Sequence, residues 1–260
     1  MITNKCKTMM TVLGASFALL YGASAISAPV LFFPQTSFED DDLDYVIDND
    51  NDGKISVGDD LVAYFKINST FDPNINNFTP IPGGELTGIA EITVTGFAGG
   101  VFTFGAMAGG VLAGNEVIKL WFDNGVDTFA LNCANQVACA SAATSGAHYL
   151  TASLEAGDSW TAIAFPGGDD IATVAGGGST TTYAVANFST TITANPFNLP
   201  LLSNSFIGSG NILGGSGLTN GATARSDFDF TINVPEPGML ALFAVGLLGF
   251  GFANNKKRQA

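Results

Sequence analysis

The chain has 260 residues and a formal net charge of −14, with 23 Asp and Glu against 9 Lys and Arg and a single His. A surface this acidic repels nucleic acid and anionic lipid and attracts cations. One His and three Cys argue against a zinc centre, and the length admits one β domain or two small ones.

The first segment is a leader. Lys5 and Lys7 form a positive start, Met9 to Tyr21 is apolar, and Ala23-Ser24-Ala25 places small residues at −3 and −1. This pattern predicts a signal peptide over residues 1–25 and an exported chain. Cys6 precedes the apolar stretch and leaves with it.

Residues 26–60 form an acidic N-terminal segment. Glu39 to Asp42, with Asp44, read as an exposed acidic arm, the alternative being that they add ligands to the loop that follows. Next comes Asp48-Asn-Asp50-Asn-Asp52-Gly53-Lys54-Ile55-Ser56-Val-Gly-Asp59. The spacing fits a 12-residue EF-hand-type loop: Asp48, Asp50 and Asp52 at positions 1, 3 and 5, and Gly53 at the sharp turn. Lys54 would offer its carbonyl at 7, Ser56 falls at 9, and Asp59 at 12 replaces the usual Glu. Alternate residues then point hard oxygens at one ion, and a structural Ca2+ is the expected cofactor. The alternative is a solvated acidic turn, but carboxylates so spaced repel one another unless a cation lies between them.

Leu61–Ile67 alternates and is rich in β-branched and aromatic residues, so a strand follows the loop where an EF-hand has a helix. The loop and this strand resemble the Asp-rich calcium loops that precede strands in bacterial surface β domains. Further strands are predicted at Glu85–Thr95, Val101–Phe104, Val117–Phe122, His148–Ser153, Trp160–Phe165, Thr181–Phe188 and Asp227–Ile232. Gly-rich turns separate them. Phe197 to Ala222 reads as loop. No long segment carries a helical apolar period with caps. The fold class expected is mainly β, with a β-sandwich or jelly-roll-like body over residues 61–233.

Cys133 and Cys139 remain after export. An oxidising compartment predicts a disulfide between them. The residues show no catalytic constellation: His148 has no Gly-x-Ser-x-Gly elbow to serve, and the Gly-rich stretches lack the Lys of a phosphate loop. No enzyme activity is expected. Trp121, Tyr149, Trp160 and Tyr183 are the aromatics available for a sugar platform, though core positions are commoner for them.

The chain ends on Val234-Pro235-Glu236-Pro237-Gly238, then Met239 to Ala253 without a polar side chain, then Asn-Asn-Lys256-Lys257-Arg258. The two prolines exclude helix interior and central strand. The apolar run, helical at ~1.5 Å per residue, covers ~22 Å, a little short of a ~30 Å hydrocarbon core. The basic end places the C-terminus in the cytoplasm and the body across the membrane. Residues 234–260 are thus read as an anchor segment with a C-terminal apolar helix.

This order of parts resembles the PEP-CTERM sorting signal of Gram-negative bacteria, which implies that residues 234–260 are a sorting segment as well. The resemblance implies recognition by an exosortase-type enzyme, transient residence in the inner membrane, and a surface or matrix destination with exopolysaccharide as partner. A structural or adhesive role in biofilm or floc is the first expectation. A carbohydrate-binding module is the second and a polysaccharide-acting hydrolase the third. Five of the nine basic residues lie in the two ends, and of the acids only Glu236 does, so the body keeps 22 acids against 4 bases.

Overall fold

The computed structural model describes residues 35–72, 77–81, 83–124, 129, 133–194 and 205–233. The expected signal peptide, sorting segment and apolar helix lie outside them. Among the described residues no helix is long and apolar enough to cross a membrane.

Among the described residues, eleven strands form one antiparallel sheet. They are β1 (Gln35–Ile47), β2 (Asp60–Asp72), β3 (Asn77–Pro80), β4 (Glu85–Ala98), β5 (Val101–Ala106) and β6 (Glu116–Asp123). β7 (Ala147–Ser153), β8 (Ser159–Ala164), β9 (Thr182–Ala194), β10 (Ser205–Gly214) and β11 (Ala224–Asn233) complete it. Among the described residues two short helices, α1 (Gln136–Ala143) and α2 (Ile171–Gly176), lie in the connections. All eight predicted strands are present, several longer than the sequence pattern indicated.

The expected sandwich or jelly roll is replaced by an eight-stranded barrel. The sheet closes because β2 pairs with both β1 and β4, and β1 also pairs with β11. Closure removes the exposed edges that a sandwich would keep. The long strands β4 and β9 each serve three neighbours. Glu85–Ala90 of β4 pairs with β6, whereas Ile92–Ala98 pairs with β5. β9 divides in the same way between β8 and β7. The wall between β4 and β9 is therefore β6–β7 at one end of the barrel and β5–β8 at the other.

Two of the wall strands were not legible. β10 lies in the stretch read as loop, because Gly208 and Gly210 interrupt its alternation. A Cβ at Gly208 would collide with the rings of Phe188 and Phe230, so the glycine admits these aromatics. β1 holds the acidic run itself, which is not an exposed arm: Asp40 and Asp42 are buried.

The core has two parts. Alternate residues of the wall strands point inward, where Phe188 packs on Trp160 at 4.6 Å and Phe206 on Phe230 at 5.2 Å between centroids. Such pairs prefer the tilted geometries seen here. A smaller outer cluster of Leu43, Tyr45, Val62, Tyr64 and Ile89 is covered by α1. Asn135 caps α1 by accepting the Ala138 N–H at 3.0 Å. A disulfide joins Cys133 to Cys139, with Cα atoms 5.3 Å apart, and pins this helix to its approach.

Register fixes the ends. Gln35 lies opposite Asn233, so the chain enters and leaves the barrel at the same end. The connection from Ile47 to Asp60, the α2 segment and the connection from Gly214 to Ala224 all lie at the other end.

Candidate metal centre at the capped end of the barrel

The acidic loop folds as a tight coil between β1 and β2. Asn51 and Gly53 both take left-handed backbone, φ 59° and 78°. Gly53 has no Cβ to oppose this, which is what its place in the pattern demands. The coil brings Asp48, Asp50 and Asp52 together, with carboxylate oxygens all within 4.8 Å of one another. Asp50 and Asp52 are exposed and Asp48 half-buried.

Each acid is steadied by the loop backbone. Asp48 accepts the Gly53 N–H at 2.9 Å, and Asp52 accepts the Lys54 N–H at 2.6 Å. Ser56 Oγ reaches Asp50 at 3.4 Å. The Gly53 N–H beside Asp48 holds its carboxyl below the usual carboxylate range, with further N–H groups of the loop adding to the effect. Asp48 is thereby held in its anionic form, which favours a cation beside it.

Asp59 does something else. It is buried, and its two oxygens accept the Asn49 N–H at 2.9 Å and the Ser56 N–H at 2.7 Å. It ties the start of the loop to its end and is not one of the three mutually close carboxylates. Asp60 is likewise engaged, accepting from Thr93 Oγ1 and from Asn49 Nδ2. Lys54 points its ammonium away from the cluster, to Asp170 at 3.1 Å and Asp169 at 3.7 Å.

Those last two residues are the part the sequence reading missed. The loop docks on the α2 segment through Ile55 N–H to Asp169 O at 2.7 Å and Ile171 N–H to Gly53 O at 3.2 Å. Asp170 also caps α2 by accepting the Thr173 N–H at 2.7 Å. The Thr173 hydrogen bonds, assisted by Lys54, hold its carboxyl down at about 2. The available signal was Gly167-Gly-Asp-Asp170 before a short apolar run, a turn followed by an N-cap residue. Ile55, at the position expected to anchor the loop, is buried in the barrel core. The loop and α2 together thus close one end of the barrel.

The aromatics considered for a sugar platform do not form one. Tyr149 and Trp160 are buried in the barrel core, and Trp121 packs against the outer cluster. Tyr183 stands beside Gly177, where its hydroxyl would meet any added Cβ. His148 Nε2 is 2.8 Å from Thr151 Oγ1, on the barrel wall.

Compared with known families, residues 233–258 match the PEP-CTERM protein-sorting motif. The match takes in Val234 to Gly238, the apolar run and Lys256, Lys257 and Arg258, and it supports export and processing by an exosortase-type enzyme. No curated protein and no solved structure matches the chain.

Proposed function

We propose that this chain, exported and sorted through its PEP-CTERM motif, is a calcium-stabilised barrel of the cell surface or extracellular matrix. Its role there is structural or adhesive, in contact with exopolysaccharide. The convergence of Asp48, Asp50 and Asp52 at the capped end of the barrel is the observation that carries the calcium part. Three carboxylates with a nearby hydroxyl form a hard-oxygen set suited to Ca2+, which takes six to eight such ligands. Asp59 would act from behind, holding the coil in shape. The ion would tie β1, β2 and α2 into one rigid cap.

The matrix part rests on the sorting motif and on charge. A body with 22 acids and 4 bases meets neighbouring acidic polymers only with cations between them. Calcium bridging would make cohesion of such a matrix depend on the ion.

Thermal unfolding in millimolar calcium and in excess EDTA tests the reading. Binding at ten times Kd adds about 1.4 kcal/mol, a rise in Tm of roughly 3–6 °C for a domain of this size. Asp50→Ala is expected to abolish the difference. Identical melts of the parent chain in both conditions would remove calcium from the proposal and leave only the address.

A further inference from the structure

Inside the barrel, behind the cap, lies a cavity of about 90 Å3. An eight-stranded barrel is just wide enough for side chains to fill it or for one small ligand. Here five inward positions, Ala63, Ala90, Ala162, Ala184 and Ala186, carry only a methyl group. Trp160, Phe102 and Phe188 supply aromatic walls. The lining is apolar or Gly168 except on one side, where Asp40, Asp42, Asp44 and Ser226 meet it.

That polar side is a break in the wall. β1 and β11 pair from Gln35–Asn233 to Glu39–Asp229, and again at Asp44–Ala224, with no paired residues between. Carboxylates bridge the break instead of carbonyls. Asp40 accepts the Phe228 N–H at 2.9 Å, and Asp42 accepts both the Ser226 N–H and, at 2.5 Å, its hydroxyl. Ser226 Oγ is also 2.7 Å from Asp44. A hydroxyl has one hydrogen to donate, so only one of these two carboxylates receives it. The other approaches Ser226 as a donor, and therefore carries a proton, or it seeks a donor elsewhere. Burial pushes the Asp44 carboxyl up from 3.8 to about 6, against the Ser226 hydrogen bond that lowers it. Asp44 is the member of the pair in need of a donor at neutral pH.

The break also has an outer side. A groove of about 310 Å3, lined by Asp42, Leu43, residues 217–220 and Arg225, runs along it. Asp42 borders both the groove and the cavity.

From this geometry we infer that the barrel interior is a binding site for a short aliphatic amine, admitted at the β1–β11 break. The alkyl part lies among the alanines and Trp160, and the ammonium faces Asp44 beside Asp42. The volume suits a group smaller than the benzene that occupies a ~150 Å3 engineered cavity. The carboxylate side selects a cation, because a charged donor satisfies Asp44 where a neutral apolar end cannot.

Calorimetric titration of the full chain at pH 7.5 with ethylamine, against ethanol as its neutral isostere, tests the site. The amine is expected to bind at least about tenfold more tightly, the scale of one hydrogen bond to a charged group. Asp44→Asn should bring the two ligands within about twofold of each other by removing that bond. Ala186→Leu, which fills the cavity, should abolish binding of both while the chain still melts cooperatively. If Ala186→Leu does not fold, the loss of amine preference in Asp44→Asn decides alone. No binding of the amine to the parent chain would overturn the inference. Equal affinity for the two ligands, an unchanged preference in Asp44→Asn, or undiminished binding by a folded Ala186→Leu would also overturn it.

Discussion

At the end where the barrel is entered and left, Phe38, Phe206 and Ile232 are fully buried and the section is filled by side chains. At the capped end β1, β11 and β9 present Asp42, Asp44, Ala224 and Ala184 inward, and the section is left partly open. Closure there comes from a loop and a six-residue helix, joined by two backbone hydrogen bonds and a lysine. Apolar area removed from water stabilises the first end, whereas the second relies on hydrogen bonds and a proposed ion. A fold divided in this way keeps its uncommitted chemistry in its less well-packed half. It also places the cap away from the end that leads to the sorting segment.

The largest test of this contrast is Phe206→Ala. Phe206 touches Phe188 and Phe230 at 5.5 and 5.2 Å between centroids. Removal of a buried aromatic ring costs about 3–5 kcal/mol, because the cavity collapses only in part. Urea unfolding is expected to show a lower midpoint with an unchanged slope. A loss under 1 kcal/mol would mean that this end is no better packed than the other.

Asp44→Asn should act in the opposite direction. The folded-state pKa of Asp44 is about 6, above its ordinary 3.8, so the native state holds the extra proton between these values. Stability from this group is therefore present below about pH 4 and falls as pH rises through 6. Asn cannot ionise and keeps a donor for Ser226. The variant is expected to match the parent at pH 3.5 and to exceed it at pH 7.5 by up to about 3 kcal/mol. Urea midpoints in EDTA at both pH values measure this, and a difference that does not grow with pH would refute it.

The same contrast explains what the sequence made legible. Strands whose inward residues are large and apolar, such as Leu61–Ile67 or Val117–Phe122, stood out by alternation. The acidic coil was legible because its spacing is local and its glycine must turn. β1 was not, since it alternates Leu43 and Tyr45 on the outside with Asp40, Asp42 and Asp44 on the inside. Read from polarity alone, that pattern points the wrong side inward. Barrel closure was hidden for the same reason, because it depends on β1 pairing on both sides. The Lys54–Asp170 contact spans 116 residues, and nothing local to either residue announces it. Position 12 of the loop was read as a ligand from spacing, while the side chain of Asp59 is taken up by two backbone N–H groups. Spacing gives direction along the chain but not competition from a nearby donor.

The smallest effect is also the most discriminating between the two ends. Ile55 is the one buried side chain of the Asp48–Asp59 loop that belongs to the barrel core. Ile→Ala in a core costs about 2 kcal/mol at the low end of its range, which suits a site beside existing space. If the cap is a separate unit of stability, Ile55→Ala will release it locally and leave the barrel cooperative. Amide exchange should then quicken at Ile55 and Ile171, whose N–H groups hold loop to helix, with protection in β10 and β11 retained. Calcium should restore most of the lost protection, since the proposed ion acts on the same coil. Uniform loss of protection across the cap, β10 and β11 would instead make the two ends one cooperative unit, and the division between them would then be one of composition without consequence for stability.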